Sequence, residues 1–375
     1  MEYFDFAIVG AGIAGASVGW ELSAHASVVL LERETQPGYH TTGRSAALFL
    51  ETYGTPAIRA MTRASRAFLS TPPAGFCDTP VLSPRGVAYI AGPDQIDLLD
   101  QTEAELRPHS PQMQRLSAAA LAQRLPCLRR EALGGGLYET GAADIDVHTL
   151  HQGYLRGLRQ RGGRLQSDAE VTQLQRAAGV WTVTLANGRT LQARTLVNAT
   201  GAWADVLGQQ AGAAPIGLVP RRRTAFTFAA PEGLDVASLP AIIAVDHSFY
   251  IKPDARQLLG SPANADDTTP HDVMPEEIDV ATGIFRIEES TQFQIRRPTR
   301  TWAGLRSFVA DGDMVIGWDG QVDGLFWLAA QGGYGIQSAP AYALMARNQL
   351  LAQPLDASLA EHGVDPAAMS PARLR

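Results

Sequence analysis

Residues 4–15 read FDFAIVGAGIAG, and this stretch decides the fold because a short apolar run leads directly into three glycines. The run at residues 4–9 predicts a buried strand, and residues 14–24 predict a helix. A second apolar run, residues 27–31, ends at Glu32. Strand, glycine turn, helix and second strand together predict one compact βαβ unit.

The three glycines have the spacing GxGxxG, and each has its own task in such a turn. Gly10 allows the tight turn, Gly12 lets the backbone approach a pyrophosphate, and Gly15 lets the helix pack closely on the strand. The helix N-terminus attracts phosphate, and Glu32 can accept hydrogen bonds from ribose hydroxyls. We therefore predict a dinucleotide site. The alternative is a glycine-rich turn without a ligand, and the position of Glu32 argues against it.

The composition excludes several classes of protein. Of 375 residues, 45% are hydrophobic and 18% are charged, which is enough apolar material for a large core. The net charge of −7 argues against a nucleic-acid partner. Cys77 and Cys127 are the only cysteines, so we expect neither a disulfide framework nor a metal site. A reducing compartment follows, and we expect a cytoplasmic protein.

The apolar segment at residues 6–20 resembles the core of a signal peptide. However, Glu2 and Asp5 precede it, where a signal peptide carries positive charge. No run of about 18 apolar residues occurs elsewhere, so we expect no membrane-spanning helix. Peripheral association with a membrane stays open.

Rossmann-like pieces occur at the start, the middle and the end of the chain, and strand-rich segments lie between them. We therefore predict an α/β fold with a discontinuous nucleotide-binding domain and an inserted α+β domain on a mixed, largely antiparallel sheet. Residues 1–80, 142–214 and 303–375 are assigned to the first domain. Residues 81–141 and 215–302 are assigned to the second, which would bind the substrate.

The motif alone leaves the choice between FAD and NAD open. Residues 40–45, HTTGRS, follow the second strand and supply hydroxyls, a cation and a glycine. A flavin enzyme needs such a loop to follow the pyrophosphate towards the isoalloxazine, whereas a nicotinamide enzyme has no special need of it. A solvated loop is the alternative interpretation.

Four further segments carry a family resemblance: GRSA at 43–46, LVNATGAW at 196–203, WAGLRSFVADGD at 302–313 and AQGGYGIQ at 330–337. With the glycine motif, they resemble the D-amino acid oxidase and glycine oxidase (DAO) family of flavoproteins over nearly the whole length. Within it, the chain is most similar to the bacterial D-arginine dehydrogenases. The resemblance implies FAD-dependent oxidative deamination of D-amino acids. A hydride passes from Cα to flavin N5, and the imino acid is hydrolysed to a 2-oxo acid and ammonia.

The resemblance also implies which residues hold the cofactor. The GGYG turn would surround the flavin ring, and the helix dipole after it would stabilise negative charge on the reduced flavin. Some relatives attach FAD through a C-terminal cysteine, but no cysteine follows Cys127, so we predict non-covalent FAD. The expected cofactor contacts are Gly10, Gly12, Ile13, Ala14, Gly15, Glu32, Arg33, Thr42, Gly43, Arg44, Ser45, Ala46, Val171, Asn198, Ala199, Gly201, Gly332, Gly333, Tyr334, Gly335, Ile336 and Gln337.

A substrate carboxylate requires a partner, and the planar fork of arginine suits it. By resemblance, Arg223 and Arg306 are the candidates, and Tyr53 and Tyr250 would add hydroxyl contacts. Arg223 could instead be a surface arginine and Tyr250 a core aromatic. Arg306 lies in an apolar stretch, where burial without a partner is costly. The amine must be neutral to react, and desolvation that lowers its pKa removes the need for a strong base.

The pocket departs from that of the arginine-specific enzymes, as judged from the resemblance. Val87 occupies the position of an acidic residue that binds the guanidinium there, and Leu48 replaces a histidine. With Leu50, Gly333 and Tyr334, these residues would form a more apolar pocket. We therefore predict a preference for uncharged, apolar D-amino acids over D-arginine. Glu51, in the same loop as Leu48, is the one residue that could restore binding of a cation.

Two other functions stay open on the sequence. One is oxidation of a different small amine or a 2-hydroxy acid. The reason is that the carboxylate clamp, formed by Arg223 and Arg306, would not distinguish amines from alcohols. The other is a non-catalytic flavin-binding redox module. No motif distinguishes an oxidase from a dehydrogenase, identifies the electron acceptor as a quinone, a carrier or oxygen, or gives the oligomeric state.

Overall fold

In the computed structural model, which describes residues 1–375, the strands form three sheets of eight, nine and three strands. In chain order the strands are β1 (Glu2–Val9), β2 (Val28–Leu31), β3 (Leu48–Phe49), β4 (Leu82–Pro84), β5 (Val87–Ala91), β6 (Gln114–Ser117), β7 (Gly135–Glu139), β8 (Ala143–Ile145), β9 (Arg164–Gln166), β10 (Val171–Ala177), β11 (Val180–Leu185), β12 (Thr190–Asn198), β13 (Val219–Ala229), β14 (Ala241–Ala244), β15 (Tyr250–Asp254), β16 (Gln257–Ser261), β17 (Asp266–Asp267), β18 (Arg300–Phe308), β19 (Val315–Trp318) and β20 (Leu325–Ala329).

Nine α-helices and five short 3-10 segments connect the strands. The helices are α1 (Ile13–Leu22), α2 (Pro56–Ser70), α3 (Ile96–Leu106), α4 (Ala118–Arg124), α5 (Val147–Gln160), α6 (Ala204–Gln210), α7 (Glu277–Ser290), α8 (Ala339–Leu350) and α9 (Ala357–Ala360). The 3-10 segments are Pro93–Gln95, Arg130–Ala132, Gly201–Trp203, Ala367–Met369 and Pro371–Leu374.

The predicted βαβ unit is the start of the eight-stranded sheet. Strand β1 runs parallel to β2, with Val9 opposite Leu31, and parallel to β12 on its other side. Strands β9 and β20 extend this parallel core at its two ends. The hairpin β10–β11 and strand β19 join it antiparallel.

Both faces of the eight-stranded sheet are covered, which explains why its central strand is apolar at successive positions. Phe6 and Ile8 of β1 face a cluster of 41 buried residues that includes α1, α5 and α8. Ala7 and Val9 face a second cluster of 24 buried residues, which contains both Trp181 and Trp327. The glycine turn is therefore held between two packed layers.

The nine-stranded sheet has the order β17-β13-β16-β15-β14-β5-β7-β6, with β18 on the other side of β13. All its pairings are antiparallel except β5 with β14. This is the mixed, largely antiparallel sheet that the sequence predicted, and the predicted fold class is confirmed. The three-stranded sheet, β3-β8-β4, joins short strands from the segments that connect the two large sheets.

One boundary in the predicted domain division needs correction. The division at 302/303 falls inside β18, whose residues pair along β13 from Val219 to Thr227. The strand RTWAGLRSF mixes apolar and polar residues and includes Gly304, so its sequence does not mark which domain it belongs to. We place β18 with the substrate-side sheet, and the rest of the division stays a proposal.

Helices α3 and α7 and strand β6 are among the elements that the sequence did not predict. Helix α7 begins without a side-chain cap and contains Gly283, so neither a cap nor propensity marks it. A Cβ at Gly283 would lie 2.8 Å from the ring of Phe226, which shows that the helix is held by close packing on the sheet.

Asp319 ties the C-terminus to the eight-stranded sheet and gives a test of the fold. Its carboxylate accepts hydrogen bonds from Trp327 Nε1 (2.9 Å) and the Val322 N–H (2.8 Å), and it pairs with Arg375. Burial raises the pKa of Asp319, but the hydrogen bonds from Arg375 and Trp327 outweigh it and lower the pKa to about 2. The ionised form therefore stabilises the fold above the unfolded-state pKa near 3.8, and this contribution is lost as the pH falls through about 2.

We expect Asp319→Asn to lower the free energy of unfolding at pH 7 by about 2 kcal/mol, with the difference shrinking between about pH 4 and pH 2. Urea unfolding at several pH values measures it. Asp323→Asn is the control, because Asp323 lies on the surface of the same turn. Equal stability of the two variants at pH 7 would contradict the role given to Asp319.

Candidate functional site

A cavity of about 690 Å³ runs between the two large sheets, and residues of both line it. Its volume is in the range of cofactor and small-molecule sites. Of the residues predicted from the sequence, these line it: Gly10, Gly12, Ile13, Ala14, Glu32, Arg33, Thr42, Arg44, Ser45, Ala46, Leu48, Leu50, Tyr53, Val171, Ala199, Gly201, Arg223, Tyr250, Arg306, Gly332, Gly333, Gly335, Ile336 and Gln337. Five predicted residues do not: Gly15, Gly43, Val87, Asn198 and Tyr334.

The glycine turn leaves no room for side chains. Gly10 has φ +98°, and a Cβ there would lie 2.4 Å from the Ala199 carbonyl oxygen. A Cβ at Gly15 would lie 1.8 Å from the Gly10 carbonyl oxygen. Gly15 therefore serves the packing of α1 on β1 rather than contact with a ligand, and Gly10 and Gly12 keep the floor of the cavity open.

Glu32 is fixed at the end of β2, beside this turn. One carboxylate oxygen accepts the Ala11 N–H (2.9 Å), the other accepts the Glu34 N–H (3.0 Å), and the residue is 8% exposed. Because each oxygen retains a second lone pair, the carboxylate can still accept from a ligand hydroxyl.

The loop at residues 38–46 connects the two sheets across the cavity. Thr42 Oγ1 accepts the Ile13 N–H (3.0 Å) at the start of α1, and the Thr41 hydroxyl donates to the Leu305 carbonyl (2.7 Å). Arg44 donates to the Ala303 carbonyl (3.1 Å) and pairs with Asp272. The charge of Arg44 is therefore already compensated, and we assign it to positioning the loop rather than to neutralising a phosphate.

At one end of the cavity a stacked pair lies beside Glu32. The guanidinium of Arg33 lies 4.2 Å from the centre of the Trp203 ring, and Trp203 was not predicted as a site residue. Val171 lines the same end, at a register irregularity between β10 and β11. Asn198 instead stabilises the turn after β12, since its side chain donates to the Ala204 carbonyl (2.8 Å).

The GGYG turn closes the cavity from the other side. Gly332 has φ +52°, and its N–H donates to the Ser307 carbonyl (2.9 Å). The Gln337 side chain accepts the Leu50 N–H (3.1 Å) and donates to Thr62 (2.9 Å), so it holds the loop at residues 48–54 in place.

Tyr334 does not reach the cavity, although the sequence predicted it as a pocket and cofactor residue. Its ring packs behind Tyr53, with centroids 4.9 Å apart, and against Phe308 at 6.2 Å. Gly43 also lies away from the cavity, because a Cβ there would meet the Gly38 carbonyl at 2.6 Å. Tyr334 and Gly43 therefore support the walls of the cavity without lining it.

Strand register explains how the second sheet presents its side chains to the cavity. Tyr89, Ile243 and Tyr250 are direct neighbours across β5, β14 and β15, so they share one face. On β13 and β18, Arg223 lies opposite Gly304, and Arg306 lies two residues farther along β18 on the same face. The sheet therefore brings residues that are far apart in sequence to one surface.

Arg223 and Arg306 are both half-buried in this surface, and neither pairs with a carboxylate of the protein. The Nε of Arg223 donates to the Asn264 carbonyl, and Nη1 of Arg306 donates to the Tyr53 hydroxyl (3.4 Å). Partial burial and then the nearby charge of Arg306 lower the pKa of the Arg223 guanidinium to about 10. Two half-buried cations without counter-ions make this part of the cavity a site for an anion.

Val87 and Glu51 are not where the sequence prediction placed them. Val87 is fully buried in the apolar cluster that also contains Leu50, so it backs the pocket wall without lining the cavity. Glu51 is bound by Arg66 (2.6 Å) and does not line the cavity either. The proposal that Glu51 receives a cationic substrate is therefore wrong.

Other lining residues carried no sequence signal. Arg59, Tyr89, Thr102 and Glu105 line the cavity from α2, β5 and α3. They lie in segments without a motif, and only the ion pair between Arg59 of α2 and Glu105 of α3 shows that these helices meet at the cavity.

Neither cysteine lines the cavity. Cys127 is buried in the core of the nine-stranded sheet, where burial raises the pKa of its thiol to about 11. No group of three or more His, Cys, Asp or Glu side chains is arranged to hold a metal ion. None of the helices combines the length and the apolar character needed to cross a membrane.

Comparison with known proteins agrees with the geometry. The family model DAO, FAD dependent oxidoreductase, matches residues 5–349. The chain is 25% identical to the mitochondrial dimethylglycine dehydrogenase of Rattus norvegicus over 181 residues, which is 48% of this chain and 21% of that protein. It is 26% identical to the L-2-hydroxyglutarate dehydrogenase of Salmonella houtenae over 226 residues, which is 56% and 51% of the two chains. The matches thus span between about a fifth and a half of these relatives.

Among solved structures, the crystal structure of glycine oxidase from Geobacillus kaustophilus superposes with a TM-score of 0.81. The identity is 22%, and the alignment covers 98% of this chain and 99% of the other. The two chains share their fold over almost their whole length.

The cofactor of this cavity is FAD. The residues fit it, because the floor at Gly10 and Gly12 admits close approach of a pyrophosphate and Glu32 lies at the end of β2 where a ribose binds. Since no cysteine lines the cavity, we expect the FAD to be held without a covalent bond. Acid precipitation of the purified protein should leave all flavin absorbance in the supernatant. Flavin that stays with the precipitated polypeptide would contradict this.

Proposed function

The chain belongs to the DAO family of FAD-dependent oxidoreductases, and on that basis we propose that it oxidatively deaminates D-amino acids to 2-oxo acids and ammonia. The observation that carries the proposal is the half-buried pair of guanidiniums, Arg223 and Arg306, which lie at the cavity beside the GGYG turn and have no carboxylate partner. A small carboxylate is the ligand that such a pair requires. D-specificity is taken from the family resemblance.

The FAD would be held by three separated stretches: the glycine turn with Glu32, the loop at residues 40–46, and residues 332–337. When bound, FAD would supply the acceptor for the hydride that leaves the substrate Cα. The protein contributes position and electrostatics.

Arg223 and Arg306 fix the carboxylate of the substrate. They extend from neighbouring strands, so two guanidiniums hold one carboxylate in a set orientation, and the hydroxyls of Tyr53 and Tyr250 add contacts from opposite sides. With the carboxylate held in this way, only rotation about one bond is left to place the amine and Cα–H.

The same two cations also prepare the amine. A third positive charge next to two guanidiniums is unfavourable, so the pKa of the bound substrate ammonium falls and its proton is released to solvent. The neutral amine can then support the iminium that forms as the hydride leaves. This is why the site needs no carboxylate base beside the substrate.

The side chain of the substrate would lie against Leu48 and Leu50, which line the cavity next to the clamp. Arg59, Arg223 and Arg306 are among the arginines that line the cavity, and Glu105, a lining carboxylate, is already paired with Arg59. A cationic side chain therefore finds repulsion and no free partner. We infer that uncharged D-amino acids are preferred over D-arginine.

Oxidation of a 2-hydroxy acid is the second candidate. The L-2-hydroxyglutarate dehydrogenase of Salmonella houtenae is among the relatives, and a carboxylate clamp would orient an alcohol as well as an amine. The pKa argument applies only to an amine, and for this reason we place the amine first.

An anaerobic substrate panel tests the proposal. D- and L-forms of alanine, leucine, methionine, phenylalanine and arginine, and matching 2-hydroxy acids, are mixed with the flavin-loaded protein, and flavin bleaching is followed. We expect bleaching by the uncharged D-amino acids, with D-arginine slower by about 100-fold because its charge is unpaired in the site. Bleaching by hydroxy acids alone, or faster bleaching by D-arginine, would overturn it.

Arg306→Lys tests the clamp itself. A lysine keeps the charge but loses the planar fork, so we expect kcat/KM for a D-amino acid to fall by about 100-fold or more. Arg221→Lys is the matched control, since Arg221 lies directly opposite Arg306 in the ladder but is half-exposed and pairs with Asp267. Similar losses of kcat/KM in both variants would mean that the substitutions disturb the pairing of β13 with β18 and do not act through the carboxylate clamp.

A further inference from the structure

The cavity continues beyond the carboxylate clamp, past Tyr53, to a polar end between α2 and α3. This end is lined by Tyr89, Thr102, Arg59 and Glu105. Neither the clamp nor the cofactor accounts for a third arginine here.

Arg59 is held in an unusual electrostatic position. Its side chain is only 9% exposed, and its sole side-chain hydrogen bond runs from Nη2 to Glu105. Its Nε is buried and has no partner. One of five guanidinium donors is thus used, although a buried arginine is stable only when its charge and its donors are satisfied.

The partner of Arg59 is an exposed residue. The Glu105 side chain is 64% exposed, on the last turn of α3, so it can turn into solvent at little cost. Arg59 cannot follow it and would then need another anion. A carboxylate that enters through the cavity can therefore replace Glu105 as the partner of Arg59.

A substrate held at the clamp can approach this end. Tyr53 at the clamp, Tyr89 and Arg59 all line this one cavity, so no separate pocket divides the clamp from Arg59. Leu48 and Leu50 line the cavity between the loop and this wall without closing it.

We propose that Arg59 is a second anion-binding residue that selects substrates whose side chain ends in a carboxylate, which displaces Glu105. The inference rests on the proposed function and adds acidic D-amino acids to its substrate class. Uncharged side chains bind without this contact, acidic side chains gain it, and cationic side chains are repelled.

The test compares acids with their amide isosteres. We expect kcat/KM for D-glutamate or D-aspartate to exceed that for D-glutamine or D-asparagine by about tenfold, since only the acids can replace Glu105 on Arg59. Glu105→Gln removes the competing carboxylate and should raise this acid-to-amide ratio about fivefold further. Arg59→Gln should reduce the ratio to about one.

Glu103→Gln is the control for Glu105→Gln. It removes the same charge from the same helix, but Glu103 pairs with Arg107 and Arg115 and does not line the cavity. Because Glu105 is a surface residue, its variant is informative even if Arg59→Gln does not fold. Binding of glutarate against pentanoate, followed by flavin absorbance, repeats the comparison without turnover.

An acid-to-amide ratio near one in the wild type, unchanged by Glu105→Gln, would overturn the inference. If D-alanine and D-leucine still bleach the flavin, the proposed function survives that result. If no amino acid bleaches the flavin, the proposed function fails. Tighter binding of glutarate than of pentanoate would then still support Arg59 as an anion-binding residue, and equal binding would refute that role.

Discussion

The half-buried guanidiniums of Arg223 and Arg306, which have no carboxylate partner, are the constraint on which the site depends. A cation in a protein interior is stable only with a counter-ion or with a full set of hydrogen bonds, and these two share one carbonyl and one tyrosine hydroxyl between them. The fold tolerates this cost at the strand pair β13–β18, which carries both arginines. Gly304, directly opposite Arg223, leaves space above the strand pair, and α7 supports its other face.

The two large sheets are joined where the chemistry takes place. Thr42 fastens the loop at residues 38–46 to the start of α1, and Arg44 fastens the same loop to β18 and Asp272. Gln337 joins the GGYG turn to the loop that carries Leu50. These three connections keep the cofactor-binding floor and the carboxylate clamp at a fixed distance from each other, as hydride transfer requires.

The sequence predicted the parts of the site that follow from local rules. Gly10, Gly12 and Glu32 could be placed because a βαβ turn needs those residue types at that spacing, whereas Arg306 was identified through the family resemblance. How far along a strand the cavity extends could not be predicted, because residues two apart share one face of the sheet. Val87 was expected in the cavity and lies behind it, whereas Tyr89, two residues along the same strand, lines it.

Residues in helices without a motif were also missed. Arg59 and Glu105 come from α2 and α3, and only tertiary packing brings them to the cavity. Tyr334 shows the opposite error, because it stands in a motif that lines the cavity while its own ring turns away to support Tyr53. Motifs located the backbone of the site, and side-chain packing decided which residues reach it.

The central claim is that two half-buried guanidiniums without a carboxylate partner make the site bind a carboxylate. Titration of the flavin-loaded protein with 2-methylpropanoate and with its neutral isostere 2-methylpropanamide tests it most directly, with flavin absorbance as the readout. The account predicts that the carboxylate binds at least about 100-fold more tightly than the amide. Equal affinity for the two would contradict it.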